Sequence, residues 1–275
     1  MSPFAQPAVS LGSPTATALR GGYDPIFFDR LARIEDEHFW FRSRNRLIFQ
    51  LATELTRELK PGFSILEVGC GTGNTLRVLR RACPAGTVVG LELWFEGLRH
   101  AQKRSAGILV QGDVRDYPFR NPFSLICMFD VLEHVSEDRA TLLSLYQNLV
   151  PGGALLLTVP AHQSLWSYFD EAAQHCRRYS VSDICQKLSA TGFEVEFVSH
   201  FMACIFPLVW LVRKMRGRTD VDPEASRSRS TDEFTLVPVV NQLLTALLTV
   251  EVLWVARRHR LPFGSSLVVI ARKPA

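Results

Sequence analysis

The chain has 275 residues, 47% of them hydrophobic, which excludes wholesale disorder and supplies enough apolar side chains for one large α/β core. A formal net charge of only +4 gives no reason to expect a nucleic-acid partner. The six cysteines form no CxxC pair, which excludes a zinc knuckle or a dithiol redox centre and fits reduced thiols in the cytoplasm.

In chain order, residues 1–22 are rich in Ser, Pro, Thr and Ala and lack the charged start and apolar run of a signal peptide, so they read as a flexible leader ahead of a domain over 23–275. From 38 to 59, Trp40, Leu47, Ile48, Leu51 and Leu55 recur at helical spacing, and Arg44 falls on the same stripe. Apolar runs at 63–68, 88–93, 107–111, 124–129 and 154–159 then alternate with helical patterns near 74–82, 95–104 and 137–148. That alternation predicts a parallel sheet wrapped by crossover helices. Pro151-Gly152-Gly153 is expected to stop the last of these helices and turn into the next strand.

Two further strand candidates, 194–200 and 265–271, bracket a helical insertion at about 201–260, and a hairpin-like return of the last would complete a seven-stranded sheet. The insertion holds two apolar segments, 201–212 and 235–255, each followed by a basic cluster. Pro207 in the first, which is also short, and Asn241, Gln242 and Glu251 in the second argue against crossing a bilayer. A cap packed on the domain and a face lying on a membrane surface, at the inner side of the cytoplasmic membrane, are both compatible with this pattern.

The densest local signal is ILEVGCGTGNTL, residues 65–76. Glycines without Cβ at the end of a first strand let the backbone turn sharply beside a ligand, at the edge where open α/β sheets bind them. The spacing is E-x-G-x-G-x-G, one residue short of the dinucleotide fingerprint. Glu67 would repel a pyrophosphate and suits a cationic or zwitterionic ligand, which argues against a nicotinamide enzyme.

The run Glu67 to Gly73 resembles motif I of class I S-adenosylmethionine (SAM) dependent methyltransferases, and further elements over roughly 60–160 match that family in order and spacing. The resemblance implies a Rossmann-like α/β fold, a mostly parallel seven-stranded sheet with an antiparallel last strand, and SAM as cofactor. It implies that Gly69, Cys70, Gly71 and Gly73 form the cofactor turn, with Cys70 inert. It further implies that Glu92, followed by Leu93, holds the ribose hydroxyls, that Asp113, followed by Val114, accepts the adenine amino group, and that Phe129 opens the segment after strand four.

That segment, Asp130-Val-Leu-Glu133-His134, puts two carboxylates and an imidazole at the cleft mouth, with His134 the candidate base toward a hydroxyl. It is similar to the E-x-x-E-H element of ubiquinone-pathway O-methyltransferases, where such residues can hold a divalent cation; Asp130 in place of glutamate departs from it, and a resident metal is not assigned. Simple capping of the next helix by Glu133 and His134 is the competing explanation. Residues 159–180 combine Trp166, Asp170, His175, Arg177, Arg178 and Tyr179, and with HFWFRSRNRLI at 38–48 they resemble a bacterial branch of these enzymes. Trp40, Arg44, Trp166, Asp170, His175, Arg178 and Tyr179 are therefore the candidate acceptor-side residues. The paired arginines suggest an anionic acceptor, unless they serve as salt-bridge partners of Asp170 or Glu171. No Asn/Asp-Pro-Pro-aromatic or Pro-Cys sequence follows the fourth strand, which excludes the common DNA-methylating patterns. The expectation is an O-directed methyltransferase for a small-molecule or lipid-linked acceptor, with a catalytically silent SAM-binding module as the alternative.

Overall fold

The computed structural model describes residues 27–104, 107–216 and 238–275. The leader and the polar stretch 219–233 of the insertion lie outside the described residues. One sheet organises the chain. Its strands are β1 (Ser64–Val68), β2 (Thr87–Glu92), β3 (Ile108–Gln111), β4 (Phe123–Phe129), β5 (Leu149–Pro160), β6 (Glu194–Phe201) and β7 (Ser266–Arg272), in the spatial order β3-β2-β1-β4-β5-β7-β6. The first five pair parallel, and β7 lies antiparallel between β5 and β6. The expected mostly parallel seven-stranded sheet is therefore present.

Parallel strands covered on both faces read as continuous apolar runs, and β1 and β4 are buried almost throughout. On one face lie α2 (Phe39–Thr56), α3 (Asn74–Ala82) and α9 (Pro238–Ala256), where Leu47, Leu51, Leu76 and Leu248 pack on Ile65, Leu125 and Ile270. On the other lie α5 (Asp138–Gln147) and α7 (Val181–Ala190), where Leu142, Leu145, Ile184 and Leu188 meet Leu66, Ile126 and Val269. The short α1 (Phe27–Ile34) packs on α4 (Phe95–Arg104) at the edge. The sheet order reverses between β1 and β4, which opens a crevice at their carboxyl ends.

Two expectations change. Pro151-Gly152-Gly153 does not separate helix from strand; α5 has already ended at Gln147, and the three residues lie inside β5 opposite a register shift in β4. Gly152, at φ +74, permits that irregularity while its N–H donates to Lys273 O. In the insertion, α8 (Phe206–Arg216) carries Pro207 in its first turn, where a missing N–H costs no helical hydrogen bond, so this proline starts a helix rather than interrupting one.

Candidate functional site

The glycine turn leaves β1 in the left-handed backbone region: Gly69, Gly71 and Gly73 have φ of +70, +50 and +78. Gly69 also has no room for a side chain, since a Cβ would lie 2.5 Å from Val131 Cγ2. Gly69, Cys70 and Gly71 line a cavity of about 610 Å³ at the β1/β4 crevice, together with Glu67, Glu92, Leu93, Asp113, Val114 and Phe129. Gly73 does not line it. A Cβ there would meet Ala101 Cα at 2.8 Å, so this glycine lets the start of α3 approach α4.

Glu92 is 6% exposed and its carboxylate closes the turn, with Oε2 accepting from Gly71 N at 2.8 Å and Oε1 from Trp94 N at 2.9 Å. Burial raises its pKa against the opposing effect of these backbone donors. Glu67 is pushed up further by burial, and its Oε2 has no hydrogen-bond partner among the described residues. A buried acceptor facing a cavity is a place for a ligand donor or cation. Asp113 is gripped by Arg115, whose Nε donates to both carboxyl oxygens at 3.0 and 2.9 Å. Burial works to raise the Asp113 pKa, but the Arg115 contacts hold it below the usual range. Burial keeps the Cys70 thiol well above its ordinary pKa, which fits an inert residue.

Past β4, Asp130 takes a left-handed φ of +53 and pairs with Arg44 at 2.6 Å; Arg44 also lies over the Trp40 ring, 4.7 Å from its centroid. The Asp130 carboxylate is thus committed to α2 instead of to Glu133 and His134. Glu133 and His134 sit in a single 3₁₀ turn, Leu132–His134. The turn is held from the other side by the loop after α6 (Tyr168–Ala172): Cys176 N donates to Glu133 O at 2.7 Å, and Arg177 Nη2 donates to Ser136 O at 2.7 Å. This contact brings His175 beside His134, their rings 4.6 Å apart edge to face.

Donor atoms of Glu133, His134 and His175 all lie within 4.8 Å of one another, a spacing able to hold a cation. Glu133 is fully buried, neither carboxyl oxygen has a hydrogen-bond partner among the described residues, and burial followed by the nearby Asp130 pushes its pKa well up. Burial, reinforced by His175, lowers His134 to about 3, so His134 is not poised to take a proton near neutrality as the sequence led us to expect. His175 is better placed. Its Nδ1 donates to Asp170 Oδ1 at 2.9 Å, which leaves Nε2 as the acceptor. Asp170 is fully buried, and although burial opposes ionisation, His175 and Arg178 hold its pKa at about 2.

Both paired arginines have carboxylate partners, as in the alternative to an anionic acceptor, and Arg178 also lines the cavity. Arg178 Nε meets Asp170 Oδ1 at 2.7 Å, and Arg177 Nη1 meets Asp138 Oδ2 at 2.7 Å. Tyr179 is not an acceptor contact either; it is wholly buried, with its hydroxyl donating to Asp138 Oδ2 at 3.1 Å. Trp166 turns to Glu171, 3.3 Å from Nε1, and is not among the cavity-lining residues. Two walls of the cavity were not recognised in the sequence. Phe28 of α1 covers Gly71, and Ile205 just ahead of α8 joins Val209 and Val212 of that helix in a second wall. The pair of aromatics in FFDRL was the available signal for the first; the second depends on where the insertion folds back.

Burial of neutral histidines makes a pH prediction. His38, the N-cap of α2, is lowered by burial to about 4, and His134 to about 3. Between the unfolded value of about 6.5 and these folded values the unfolded chain binds more protons, so their stabilisation is complete above about pH 6.5 and is lost as pH falls toward 3 to 4. Urea unfolding at stepped pH should show roughly 1 kcal/mol lost per pH unit for each histidine below that point. The Asp170 contribution disappears only at lower pH. A profile flat from pH 7 to 5 would contradict both histidine assignments.

Comparison with known proteins agrees with this geometry. The sequence is 36% identical over 112 residues to dTDP-3-amino-3,6-dideoxy-alpha-D-glucopyranose N,N-dimethyltransferase of Streptomyces fradiae, covering 39% of this chain and 43% of that protein. It is 26% identical over 144 residues to malonyl-[acyl-carrier protein] O-methyltransferase of Priestia megaterium, covering 50% and 52%. The chain thus spans about half the length of these curated relatives. In fold it is similar to Haemonchus contortus phosphoethanolamine N-methyltransferase 2 in complex with S-adenosyl-L-methionine, with a TM-score of 0.51 at 21% identity over 90% of this chain and 60% of that one. A family model described as a methyltransferase domain matches residues 37–198, a span that holds the glycine turn, both strand-end carboxylates and the Glu133–His175 cluster. The chain therefore belongs to the methyltransferase domain family, with S-adenosyl-L-methionine as its cofactor.

Proposed function

We propose that the chain methylates a hydroxyl oxygen of a small-molecule or lipid-linked acceptor, with His175 as the base. The observation that carries this reading is His175, held by buried Asp170, on the wall of the same cavity that holds the glycine turn. SAM supplies an electrophilic methyl group on a sulfonium. The chain's own task is to position the acceptor oxygen in line with that group and to accept its proton. Ionised Asp170 engages the His175 ring through Nδ1 and leaves Nε2 as the proton acceptor, while Arg178 keeps Asp170 ionised. Glu67 and Glu92 give the turn a carboxylate lining suited to a cationic donor, and Glu92 is assigned the ribose hydroxyls.

Incubation with methyl-labelled SAM and fractionated extract tests the reaction. Label recovered as a methyl ether in one small or lipid fraction supports it; label as a methyl ester would transfer the reading to a carboxylate, which needs no base, label on nitrogen would transfer it to an amine, and no label with any fraction would favour a silent SAM-binding module. For the cofactor side, Glu92→Ala should weaken SAM more than about tenfold, since charge-assisted hydrogen bonds contribute roughly 1.5 to 3 kcal/mol each. Unchanged affinity in calorimetry would remove Glu92 from the cofactor site.

A further inference from the structure

Helix α9 is long and apolar enough to cross a membrane by length and composition, yet its polar side chains, exposed Gln242 apart, face the protein side. Asn241 Oδ1 accepts from Phe39 N at 2.7 Å, and its Nδ2 donates to Glu37 O at 2.9 Å. Thr249 accepts from Arg46, and Glu251 accepts from Ala203 N and Cys204 N at 3.0 and 3.1 Å. With Thr245, Leu248, Val252 and Val255 buried alongside, this face is sealed against the domain. A spanning orientation would break every one of these contacts.

The opposite face is open. Val239 is 77% exposed, Leu243 60%, Leu247 46%, Val250 70% and Trp254 51%. Their spacing of three or four residues makes one stripe about 22 Å long at 1.5 Å rise per residue. Helix α8 also exposes Leu208, Trp210 and Leu211, of which Leu208 borders the cavity as well.

Charge decides between occupants. Glu251 is the one acidic residue on α8 and α9, and it points inward. Lys214 on α8 and Arg257 and Arg260 just past the end of α9 are exposed. A second copy of this chain would bring these cations together with no anion on the same helices to answer them, whereas anionic head groups complement them. Exposed Trp210 and Trp254 suit the boundary between head groups and acyl chains. We infer that the α8–α9 face docks peripherally on an anionic bilayer, with the apolar stripe at the acyl boundary and Lys214, Arg257 and Arg260 on lipid phosphates. The inner side of α8 lines the cofactor cavity, so docking places that wall of the site next to the membrane.

The test uses the full chain and vesicles of phosphatidylcholine with or without phosphatidylglycerol. Binding to the anionic vesicles should exceed that to neutral ones by about tenfold and weaken at high salt, as expected for an interfacial helix with basic anchors. Leu247→Asp with Val250→Asp should abolish sedimentation with vesicles, and Arg257→Glu with Arg260→Glu should reduce it, both with SAM affinity unchanged as the check on folding. Tryptophan fluorescence should be quenched by brominated acyl chains, less so in Trp254→Phe and least when Trp210→Phe is added. Protein left in the supernatant at both salt concentrations would overturn the proposal, as would a dimer in sedimentation velocity that the Leu247→Asp variant dissolves. Resistance of cell-membrane-bound protein to alkaline extraction would overturn it in the other direction, in favour of spanning.

Discussion

His175→Ala is expected to lower turnover at saturating SAM and acceptor by about 10²-fold or more while leaving SAM affinity in place. The ring is held by Asp170 at 2.9 Å and lines the cavity, so its removal takes away a proton acceptor without disturbing the glycine turn. Added imidazole should restore part of the rate in this variant and none in the wild type. His134→Ala should show no imidazole rescue, because burial holds His134 at about 3 and excludes it from proton transfer near neutrality. A chelator provides the second arm, since Glu133, His134 and His175 together offer three ligand atoms. Activity lost to the chelator and regained with a divalent cation would make His175 a ligand rather than the base; an unaffected His175→Ala enzyme would remove it from the chemistry altogether.

Asp170→Ala should destabilise the fold by about 3–5 kcal/mol, the usual cost of leaving a buried ion without its partner. Asp170 is fully buried and is met by Arg178 at 2.7 Å, by His175 at 2.9 Å and by Ser167 N at 2.9 Å, with Arg213 of α8 3.9 Å away. It closes the capping box at the start of α6 and at the same time orients the proposed base. Activity alone cannot separate these roles, so the informative measurement is urea unfolding. Combining Asp170→Ala with Arg178→Met should recover much of the loss, since the stranded cation is then gone. A single variant within about 1 kcal/mol of wild type would show that the network tolerates an open charge.

The sheet and the cofactor side of the cavity were legible because their signals are local. Strand runs such as SILEV and FSLICMF are continuous in the sequence, and the helices at 74–82 and 95–104 begin and end as their pattern indicates. Glu67, the glycines and Glu92 are brought together by one strand-turn-helix-strand unit, within which spacing along the chain sets spacing in the fold. Gly73 is the exception inside that unit. Its neighbour is Ala101, a residue of the following helix, and a packing contact between helices leaves no mark in the spacing of the turn.

The acceptor side was legible as a set of chemically able residues and not as roles. His134 and His175 look alike in sequence; burial takes one out of titration, and a carboxylate orients the other. Arg177 and Arg178 are one guanidinium pair in sequence and two separate ion pairs in the fold, because Asp138 and Asp170 reach them from different helices. Asp130 matched a catalytic motif and is held instead by Arg44 across 86 positions of chain. By itself the sequence determined the fold class, the glycine turn and the inventory of titratable groups, all of which follow from residue type and short-range order. Only the tertiary structure decided which of those groups meet and which are desolvated, and which face of α9 is sealed, because these depend on contacts between elements far apart in the chain.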